Sequence, residues 1–232
     1  MAELTAILLA GGFGTRIREL YPDVPKPMIP VLEKPFLEWA IRYWKGQGVS
    51  RFVLSLGHLA EVAEQYFAGR EDVLTLREPK ALGTGGAVSF VSSQIELSDP
   101  FIVANGDSLV LADVSGAISE IGRNEVDGVV LGVEVDDTSR FGSLAADENG
   151  RLLGFREKVP GCGLINGGVY FFKSRLVHRF PQKQPLSMET DVFPSLLNDG
   201  ADLRVAGVQA PFLDIGTPES IRQAEGFVRL LM

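Results

Sequence analysis

Short apolar segments alternate with amphipathic ones through the first half of the chain. TAILLA, RFVLSL, VLTL and FIVAN are typical of buried strands, whereas FLEWAIRYWKGQG, LAEVAEQYF and TGGAVSFVSSQI have apolar residues at helical spacing. In the first of these helical segments the apolar stripe consists of Phe36, Leu37, Ala40, Ile41 and Trp44, the pattern of a helix packed against a core. Strict alternation of strands and helices predicts a parallel sheet with helices on both faces.

The pattern changes after LADVSGAISEIGRNEV. GVVLGVEV, GSLAADENGRLLGFREK and GGVYFFKS predict strands joined by tight turns, and the Asn-Gly pair in DENGR is a β-hairpin signal. Two further helices are predicted near Glu189 to Asn198 and Pro218 to Leu231. Because the chain has no low-complexity linker or internal repeat, we expect one domain over residues 1–232. Its fold class is α/β, with a Rossmann-like, mostly parallel mixed sheet, helices on both faces and a small added β-hairpin region.

The composition narrows the classes of ligand. A hydrophobic content of 45% over 232 residues supports a well-buried core. The chain carries 22 Lys and Arg against 30 Asp and Glu, a net charge of −8, and no run of basic residues, which disfavours nucleic acid as a partner. An acidic protein can still bind a polyphosphate where backbone N–H groups and cations gather in a cleft. We therefore expect a small anionic ligand.

The single cysteine, Cys162, excludes an internal disulfide framework. It lies between two glycines and far in sequence from His58 and His178, so a plain loop thiol is favoured over a nucleophile. Glu3 stands where a signal peptide would have a basic start, and no apolar segment reaches the ~20 residues that cross a bilayer. We expect a cytoplasmic protein with no membrane partner.

The segment LLAGGFGTRIREL places a glycine-rich turn directly after the first predicted strand. This is a phosphate-binding position in α/β proteins, although no Walker A lysine follows and the third glycine of a dinucleotide fingerprint is missing. Glycines alone would indicate only a structural turn. The residues that follow favour a ligand, because Thr15 and Arg16 stand at the turn and Lys26 lies between two prolines. Those prolines restrict the backbone and present the ammonium from a stiff extended loop.

LLAGGFGTRIREL and DVPKPMIPV together resemble the signature of the sugar-nucleotide pyrophosphorylases, nucleotidyltransferases that join a nucleoside triphosphate to a sugar 1-phosphate. EPKALGTGGAV, FIVANGDSL, FREKV, GLINGGVYFF, METDVFPSL and FLDIGTPE follow in the order of that family and cover nearly the whole chain. Within it, the compact length, KPFLEW, LGTGGA, LINGGVYFF and DIGTPE most resemble D-glycero-α-D-manno-heptose 1-phosphate guanylyltransferases. The resemblance implies a GT-A-like fold with a nucleotide-binding half, about residues 1–110, and a sugar-phosphate-binding half, about residues 111–232.

The implied reaction is attack of a sugar-phosphate oxygen on the α-phosphorus of the triphosphate, with pyrophosphate leaving in line. In this resemblance Arg16 holds the β and γ phosphates, Lys26 contacts the α-phosphate, and Asp107 completes the catalytic set. The nucleotide is expected to contact Leu9, Ala10, Gly11, Gly12, Gly14, Thr15, Arg16, Lys26, Glu78, Gly83, Thr84, Asn105 and Gly106. For Thr84 a role near a helix N-terminus is an equal alternative.

The resemblance pairs Asp107 and Asp214 as ligands of Mg²⁺, the expected cofactor. Both follow short apolar runs, and the carboxyl edge of an open α/β sheet is where ligands bind. For Asp107 a turn-capping role is the alternative. Two neighbouring carboxylates repel each other, so such a pair needs a cation.

The sugar phosphate is expected to contact six residues of the second half: Gly142, Glu157, Lys158, Asn166, Gly167 and Asp191. By resemblance Lys158 holds the sugar phosphate and Glu157 accepts from sugar hydroxyls, with Glu189 as an alternative to Asp191 at the ring. The more common family form is EKP, and this sequence departs from it because Val159 stands between Lys158 and Pro160.

Several functions compete. The leading one is transfer of GMP from GTP to a heptose 1-phosphate; the close alternatives are uridylyl transfer to N-acetylmuramate 1-phosphate or another hexose 1-phosphate, and guanylyl transfer to mannose 1-phosphate. A nucleotide-sugar sensor on the same fold is the non-enzyme alternative. The presence of Arg16, Lys26, Asp107, Lys158 and Asp214 together favours an enzyme. Its partners are then small-molecule substrates, and a homodimer is a compatible assembly.

Overall fold

A nine-stranded sheet forms the centre of the protein in a computed structural model that describes residues 3–139, 142–157 and 160–232. The strands are β1 (Thr5–Ala10), β2 (Pro30–Val31), β3 (Lys34–Pro35), β4 (Arg51–Leu56), β5 (Val73–Arg77), β6 (Phe101–Asn105), β7 (Ser108–Val110), β8 (Gly128–Val135), β9 (Gly142–Ala146), β10 (Leu152–Glu157), β11 (Gly163–Phe172), β12 (Leu203–Val208) and β13 (Phe212–Asp214). The helices are α1 (Phe36–Gly46), α2 (Ala60–Phe67), α3 (Gly83–Gln94), α4 (Ser115–Ile121), α5 (Phe193–Asn198) and α6 (Pro218–Val228).

The main sheet is mixed. Its strands follow the order β10-β9-β11-β6-β1-β4-β5, and β8 pairs with both β11 and β12. The strands β6, β1, β4 and β5 are parallel, so their carboxyl ends meet at one edge. Strand β11 runs antiparallel to β6 with Val169 opposite Ala104, which carries the first residues of β11 beyond that edge. The sequence-predicted mixed sheet is confirmed.

Helices cover both faces of the sheet, as predicted from the alternation. Adjacent residues of β1 point to opposite faces, so that Leu8 packs in the cluster with α1, α2, α4 and α6, and Ile7 in the cluster with α3 and α5. Both residues are fully buried. This two-sided burial explains why β1 is almost continuously apolar.

Two local predictions from the second half are also confirmed. Strands β9 and β10 form the hairpin around DENGR, where the Asp147 carboxylate accepts hydrogen bonds from the backbone N–H groups of Asn149 and Arg151. Helix α6 begins after Thr217, whose hydroxyl accepts from the backbone N–H of Ser220 in a capping box. Within the described residues no helix is both long and apolar enough to cross a bilayer.

The helix predicted near Glu189 is two elements. A one-turn π-helix spans Met188–Val192, and α5 continues from Phe193. Ser187 fixes the start of this turn, because its hydroxyl accepts from the backbone N–H of Thr190 while its own N–H donates to Asp191. Single π-turns of this kind occur frequently at functional sites.

Candidate active site

A short two-stranded ribbon brings the two predicted metal ligands together. Strands β7 and β13 pair antiparallel, with Asp214 opposite Ser108. The backbone N–H of Ile215 donates to the carbonyl of Asp107 at 3.0 Å. Residues that are more than a hundred positions apart in sequence therefore lie side by side beyond the carboxyl edge of the parallel strands.

The ammonium of Lys26 lies between these two carboxylates. Lys26 Nζ is 2.7 Å from Asp107 Oδ2 and 3.0 Å from Asp214 Oδ1, and only 12% of the lysine side chain is exposed. Burial alone would lower the pKa of Lys26, but the two carboxylates outweigh burial and raise it above its usual value. The lysine therefore stays charged and relieves the repulsion between the aspartates, which at about 4 Å and an effective dielectric constant of about 20 would be about 4 kcal/mol.

The backbone at Lys26 differs in one respect from the expected extended loop. Pro25 is extended, but Lys26 starts a 3₁₀ turn that ends at Met28. Pro27 is tolerated there because the first residues of a helical turn need no internal N–H partner. The prolines thus fix the lysine at the beginning of a turn, with its side chain directed toward the carboxylates.

The two aspartates of this cluster could hold a divalent cation jointly with a substrate phosphate. Both carboxylates supply hard oxygen ligands. A Cβ added at Gly216 would lie 2.5 Å from Asp214 Oδ1 and 3.1 Å from Lys26 Nζ, so only glycine permits this close packing of the backbone against the pair. Within the described part of the chain, no group of three or more His, Cys, Asp or Glu is arranged to hold a metal. Mg²⁺ commonly binds through one or two carboxylates plus substrate phosphates, which matches this set.

The glycine-rich turn forms a cleft next to this cluster. The residues predicted from the sequence that line it are Leu9, Ala10, Gly12, Gly14, Thr15, Arg16, Lys26 and Asp107. Arg16 is exposed, and a side chain at Gly12 would point into open space. The cleft is thus lined by the exposed guanidinium of Arg16, by glycine backbone and by the largely buried Lys26. This concave surface is a suitable environment for a polyphosphate.

Glu78 lies against the other side of the same turn. Its Oε1 accepts a hydrogen bond from Ser55 Oγ at 2.9 Å, and its Oε2 accepts from the backbone N–H of Leu82 at 3.3 Å. A Cβ on Gly11 would lie 2.5 Å from Oε1, so only glycine permits this contact. Burial raises the pKa of Glu78, partly offset by these two hydrogen bonds. Sequence analysis missed Ser55, which is fully buried inside an apolar strand.

Within the protein, the GTGGA motif at the start of α3 contacts the segment that precedes the π-helix. The backbone N–H groups of Gly85 and Gly86 donate to the carbonyl of Leu186, and Thr84 Oγ1 accepts from the backbone N–H of Met188 at 2.8 Å. Gly83 has φ +77°, and a Cβ there would lie 2.6 Å from the Leu186 carbonyl oxygen. The start of α3 therefore anchors the segment that leads into the π-helix. A nucleotide contact by Gly83 or Thr84 stays a prediction.

Two further predicted nucleotide contacts connect the halves of the site. The backbone N–H of Gly106 donates to the carbonyl of Leu9 at 2.9 Å. The Asn105 side chain packs against Gly168 of β11, where a Cβ would lie 2.4 Å from Asn105 Nδ2. Strand β11 therefore touches the strand end that leads into Asp107.

A buried polar network follows on β11. Asn166 Nδ2 donates to Tyr170 Oη at 2.8 Å and to Glu189 Oε1 at 3.4 Å, and Tyr170 Oη donates to Glu189 Oε1 at 3.2 Å. Ser187 Oγ donates to Glu189 Oε2 at 3.1 Å. Tyr170 is 1% exposed, whereas Asn166 and Glu189 are partly exposed. Tyr170 gave no signal in the sequence because it lies within the apolar run VYFF.

The other predicted sugar contacts do not join this network. Asp191 pairs with Lys183, whose hydrogen bond holds the pKa of Asp191 below its usual range, and it accepts from the backbone N–H of Ser187. Gly142 is exposed in β9, and Gly167 packs against the Leu131 carbonyl. Of the two sugar-ring alternatives, the structure thus brings Glu189 rather than Asp191 to Asn166.

The predicted Glu157–Lys158 pair is described only in part. The backbone of Glu157 ends β10 opposite Gly142, and Lys158 lies outside the described residues. Cys162 is a free, exposed thiol before β11, in agreement with the loop position expected.

Comparison with known proteins adds independent findings. A family model described as nucleotidyl transferase matches residues 5–229. The mannose-1-phosphate guanylyltransferase of Mycobacterium tuberculosis is 35% identical over 98% of this chain and 65% of its own length. The D-glycero-alpha-D-manno-heptose 1-phosphate guanylyltransferase of Campylobacter jejuni is 32% identical over 93% of this chain and 96% of its own length.

The fold is shared with solved structures at a similar level of identity. HddC from Yersinia pseudotuberculosis superposes with a TM-score of 0.85 at 33% identity, covering 97% of this chain and 99% of HddC. A second structure of HddC, complexed with GMP-PN, gives a TM-score of 0.84 at 32% identity, with the same coverage of both chains. Sequence and fold therefore agree along almost the whole chain.

Proposed function

The chain belongs to the nucleotidyl transferase family, and from that premise we propose that it transfers GMP from GTP to D-glycero-α-D-manno-heptose 1-phosphate. The observation that carries the proposal is the cluster of Lys26, Asp107 and Asp214 beside the glycine-rich cleft. Relatives named for this heptose substrate, and the nucleotide complex of HddC, support the choice of sugar and base. Mannose 1-phosphate is the second candidate, because a relative of 35% identity is named for it.

In the proposed reaction a phosphate oxygen of the sugar attacks the α-phosphorus, a new P–O bond forms, and the bond to pyrophosphate breaks. The chain has little covalent chemistry to do, so positioning and charge neutralisation supply most of the acceleration. Backbone N–H groups of the glycine turn and the Arg16 guanidinium hold the triphosphate in the cleft. Lys26 lies where the cleft meets the carboxylates, so its ammonium is placed to neutralise charge that develops at the α-phosphate.

Asp107 and Asp214 are the residues that would hold Mg²⁺. When bound, this ion supplies neutralisation of phosphate charge. Both aspartates approach the Lys26 ammonium, so the ion and the lysine would together balance the charge of this pair and of the substrate phosphates.

Glu78 is the proposed reader of the base. Guanine presents two neighbouring donors on its Watson–Crick edge, which an ionised carboxylate can accept, whereas uracil presents one. Ser55 and Leu82 each occupy one lone pair of Glu78, one on each oxygen, so acceptor capacity remains on both. This remaining capacity supports GTP over UTP.

The second half of the chain, about residues 111–232, is the proposed sugar side. Asn166 and Glu189 are its hydroxyl-binding groups, and Lys158 is the proposed partner of the sugar phosphate. Gly168 against Asn105 connects this side to the strand end that leads into Asp107. Because nucleoside triphosphates and sugar 1-phosphates are made in the cytoplasm, the proposal also places the protein there.

A panel of GTP, UTP, CTP, ATP and dTTP against the 1-phosphates of heptose, mannose, glucose and N-acetylmuramate tests the proposal by pyrophosphate release. We expect the highest kcat/KM for GTP with the heptose 1-phosphate. Faster turnover with mannose 1-phosphate would move the assignment to that sugar, and a preference for UTP would overturn the base assignment. GTP binding without pyrophosphate release under any combination would instead indicate a sensor.

A further inference from the structure

We propose that Tyr170 is a positioning residue that sets sugar selectivity. It accepts one amide hydrogen of Asn166 while Glu189 accepts the other, so that the site offers only hydrogen-bond acceptors. The inference rests on the proposed function, since it takes Asn166 and Glu189 as the groups that face the sugar. It goes beyond that function by specifying which ring substituents the site accepts.

The orientation of the Asn166 amide follows from its backbone neighbour. The N–H of Gly168 donates to Asn166 Oδ1 at 3.0 Å, and because a backbone N–H can only donate, this atom must be the carbonyl oxygen. The amide nitrogen then faces Tyr170 Oη and Glu189 Oε1, and its two hydrogens are both used. Asn166 has no hydrogen left for a ligand, only a second lone pair on Oδ1.

The tyrosine proton completes the arrangement. Tyr170 Oη accepts from Asn166 and donates its single hydrogen to Glu189 Oε1. Burial and the nearby Glu189 charge raise the pKa of Tyr170 well above its usual value, so the hydroxyl stays protonated. Ser187 gives its hydrogen to the other oxygen of Glu189. The free capacity on Asn166 Oδ1 and on Glu189 therefore consists of lone pairs.

Because Asn166 Oδ1 and Glu189 offer only hydrogen-bond acceptors, they favour a sugar that carries a hydroxyl, a hydrogen-bond donor, at the ring position facing them. A hydroxyl can donate to Glu189, whereas a fluorine or an ether oxygen at the same position has no hydrogen and would leave a charged acceptor facing another acceptor. The segment that carries Glu189 is held in place by the Thr84 hydroxyl and by the N–H groups of Gly85 and Gly86. Its position is therefore fixed before a sugar arrives.

Tyr170→Phe tests this inference, because the ring can keep its packing against Phe172 and Phe193 while the hydroxyl is lost. Mannose 1-phosphate and its monofluoro analogues, one for each ring hydroxyl, serve as probes with GTP. In the parent protein we expect one ring position at which fluorine lowers kcat/KM by about 10- to 100-fold. In Tyr170→Phe one Asn166 hydrogen loses its acceptor and becomes available to a ligand once the amide turns, so the penalty at that position should shrink about tenfold.

Tyr43→Phe is the matched control. Tyr43 is also buried and lies near the C-terminal end of α1. Its hydroxyl donates to the Ala112 carbonyl at 2.7 Å. This variant loses a similar hydrogen bond, and its fluorine penalty should equal that of the parent. A Tyr170→Phe variant that loses activity uniformly with every analogue, at an unchanged penalty, would show a purely structural tyrosine and overturn the inference.

Calorimetric titration of the same analogues gives a readout that needs no turnover. An unchanged ratio of dissociation constants between mannose 1-phosphate and the critical fluoro analogue in Tyr170→Phe would overturn the inference and leave the proposed function intact. Failure of every sugar 1-phosphate to bind the parent protein, alone or with GTP, would overturn the proposed function and this inference together.

Discussion

The two sides of the candidate site are built in different ways. The proposed nucleotide side consists of full charges, with Lys26 in direct contact with Asp107 and Asp214 beyond the carboxyl edge of the parallel strands. The sugar side is a hydrogen-bond network on a strand with a register shift between Asn166 and Tyr170 and on a one-turn π-helix. Charge neutralisation acts on the transition state, whereas hydrogen bonds to hydroxyls act on which substrate is bound. Substitutions on the first side should lower turnover, and those on the second should change selectivity.

The largest effect should come from Asp107 and Asp214, the proposed metal ligands. Asp107→Asn and Asp214→Asn each keep the side-chain shape but remove a charged oxygen ligand, and each should lower Mg²⁺-dependent pyrophosphate release by about 10³-fold. Circular dichroism and the melting temperature should show an intact fold, because both side chains are partly exposed. Asp199→Asn, on the exposed end of α5, is the control. Near-normal turnover in either active-site variant would remove the metal assignment.

A smaller loss of turnover is expected when Lys26 is replaced. Lys26→Ala removes one preorganised cation and should lower kcat by about 10²-fold, with a lesser change in the KM for GTP. The matched control is Lys45→Ala, which breaks a surface ion pair with Asp72 and should leave turnover unchanged. A Lys26→Ala variant with unchanged kcat and a raised KM for GTP would mean that the lysine only binds the ground state.

The two sides also differ in how far the sequence could describe them. Lys26, Asp107 and Asp214 were identified because each stands in a family motif, and the carboxyl edge of the sheet was predictable from the alternation of strands and helices. Their contact depends on the pairing of β7 with β13, three residues each, which is too short to have a periodic signal. The order of the elements was predictable; the tertiary pairing of short ones was not.

On the sugar side the missing information was of another kind. Tyr170 belongs to a continuously apolar and buried run of β11, so nothing marks its hydroxyl as part of a network. The partners that satisfy it are supplied by Asn166 across a register shift and by Glu189 on another element. Ser55 is hidden in the same way within β4. A buried polar group needs partners, but the sequence does not say which distant residue supplies them.

The effect of Glu78→Gln on nucleotide preference should be intermediate in size. Glu78→Gln replaces one acceptor oxygen of the proposed guanine reader with a donor and should lower the ratio of kcat/KM for GTP over UTP by about 10- to 100-fold. Glu64→Gln, which affects only an exposed pair with Arg77, is the control. An equal loss with both nucleotides would mean that Glu78 supports the glycine turn and does not read the base.

The same residue predicts a pH dependence. Burial raises the pKa of Glu78, so the carboxylate becomes protonated at a higher pH than an ordinary glutamate does. The preference for GTP should therefore be greatest above the raised pKa and decline as the pH falls through it. In Glu78→Gln the preference ratio should no longer change over that range. A parent ratio that stays constant down to the ordinary glutamate pKa would contradict this.

The smallest effect is expected at Thr84, which links the start of α3 to the proposed sugar side. Thr84 belongs to a motif expected to contact the nucleotide, yet its hydroxyl accepts from the backbone N–H of Met188, next to Glu189. Thr84→Ala should cost about 1 kcal/mol of folding stability and raise the KM for the sugar 1-phosphate about fivefold, with the KM for GTP unchanged. Ser89→Ala is the control within the same helix, because its hydroxyl donates only to the Gly85 carbonyl. A raised KM for GTP with an unchanged KM for the sugar 1-phosphate would instead support a nucleotide contact by Thr84. It would contradict a role of Thr84 in positioning the Glu189 segment.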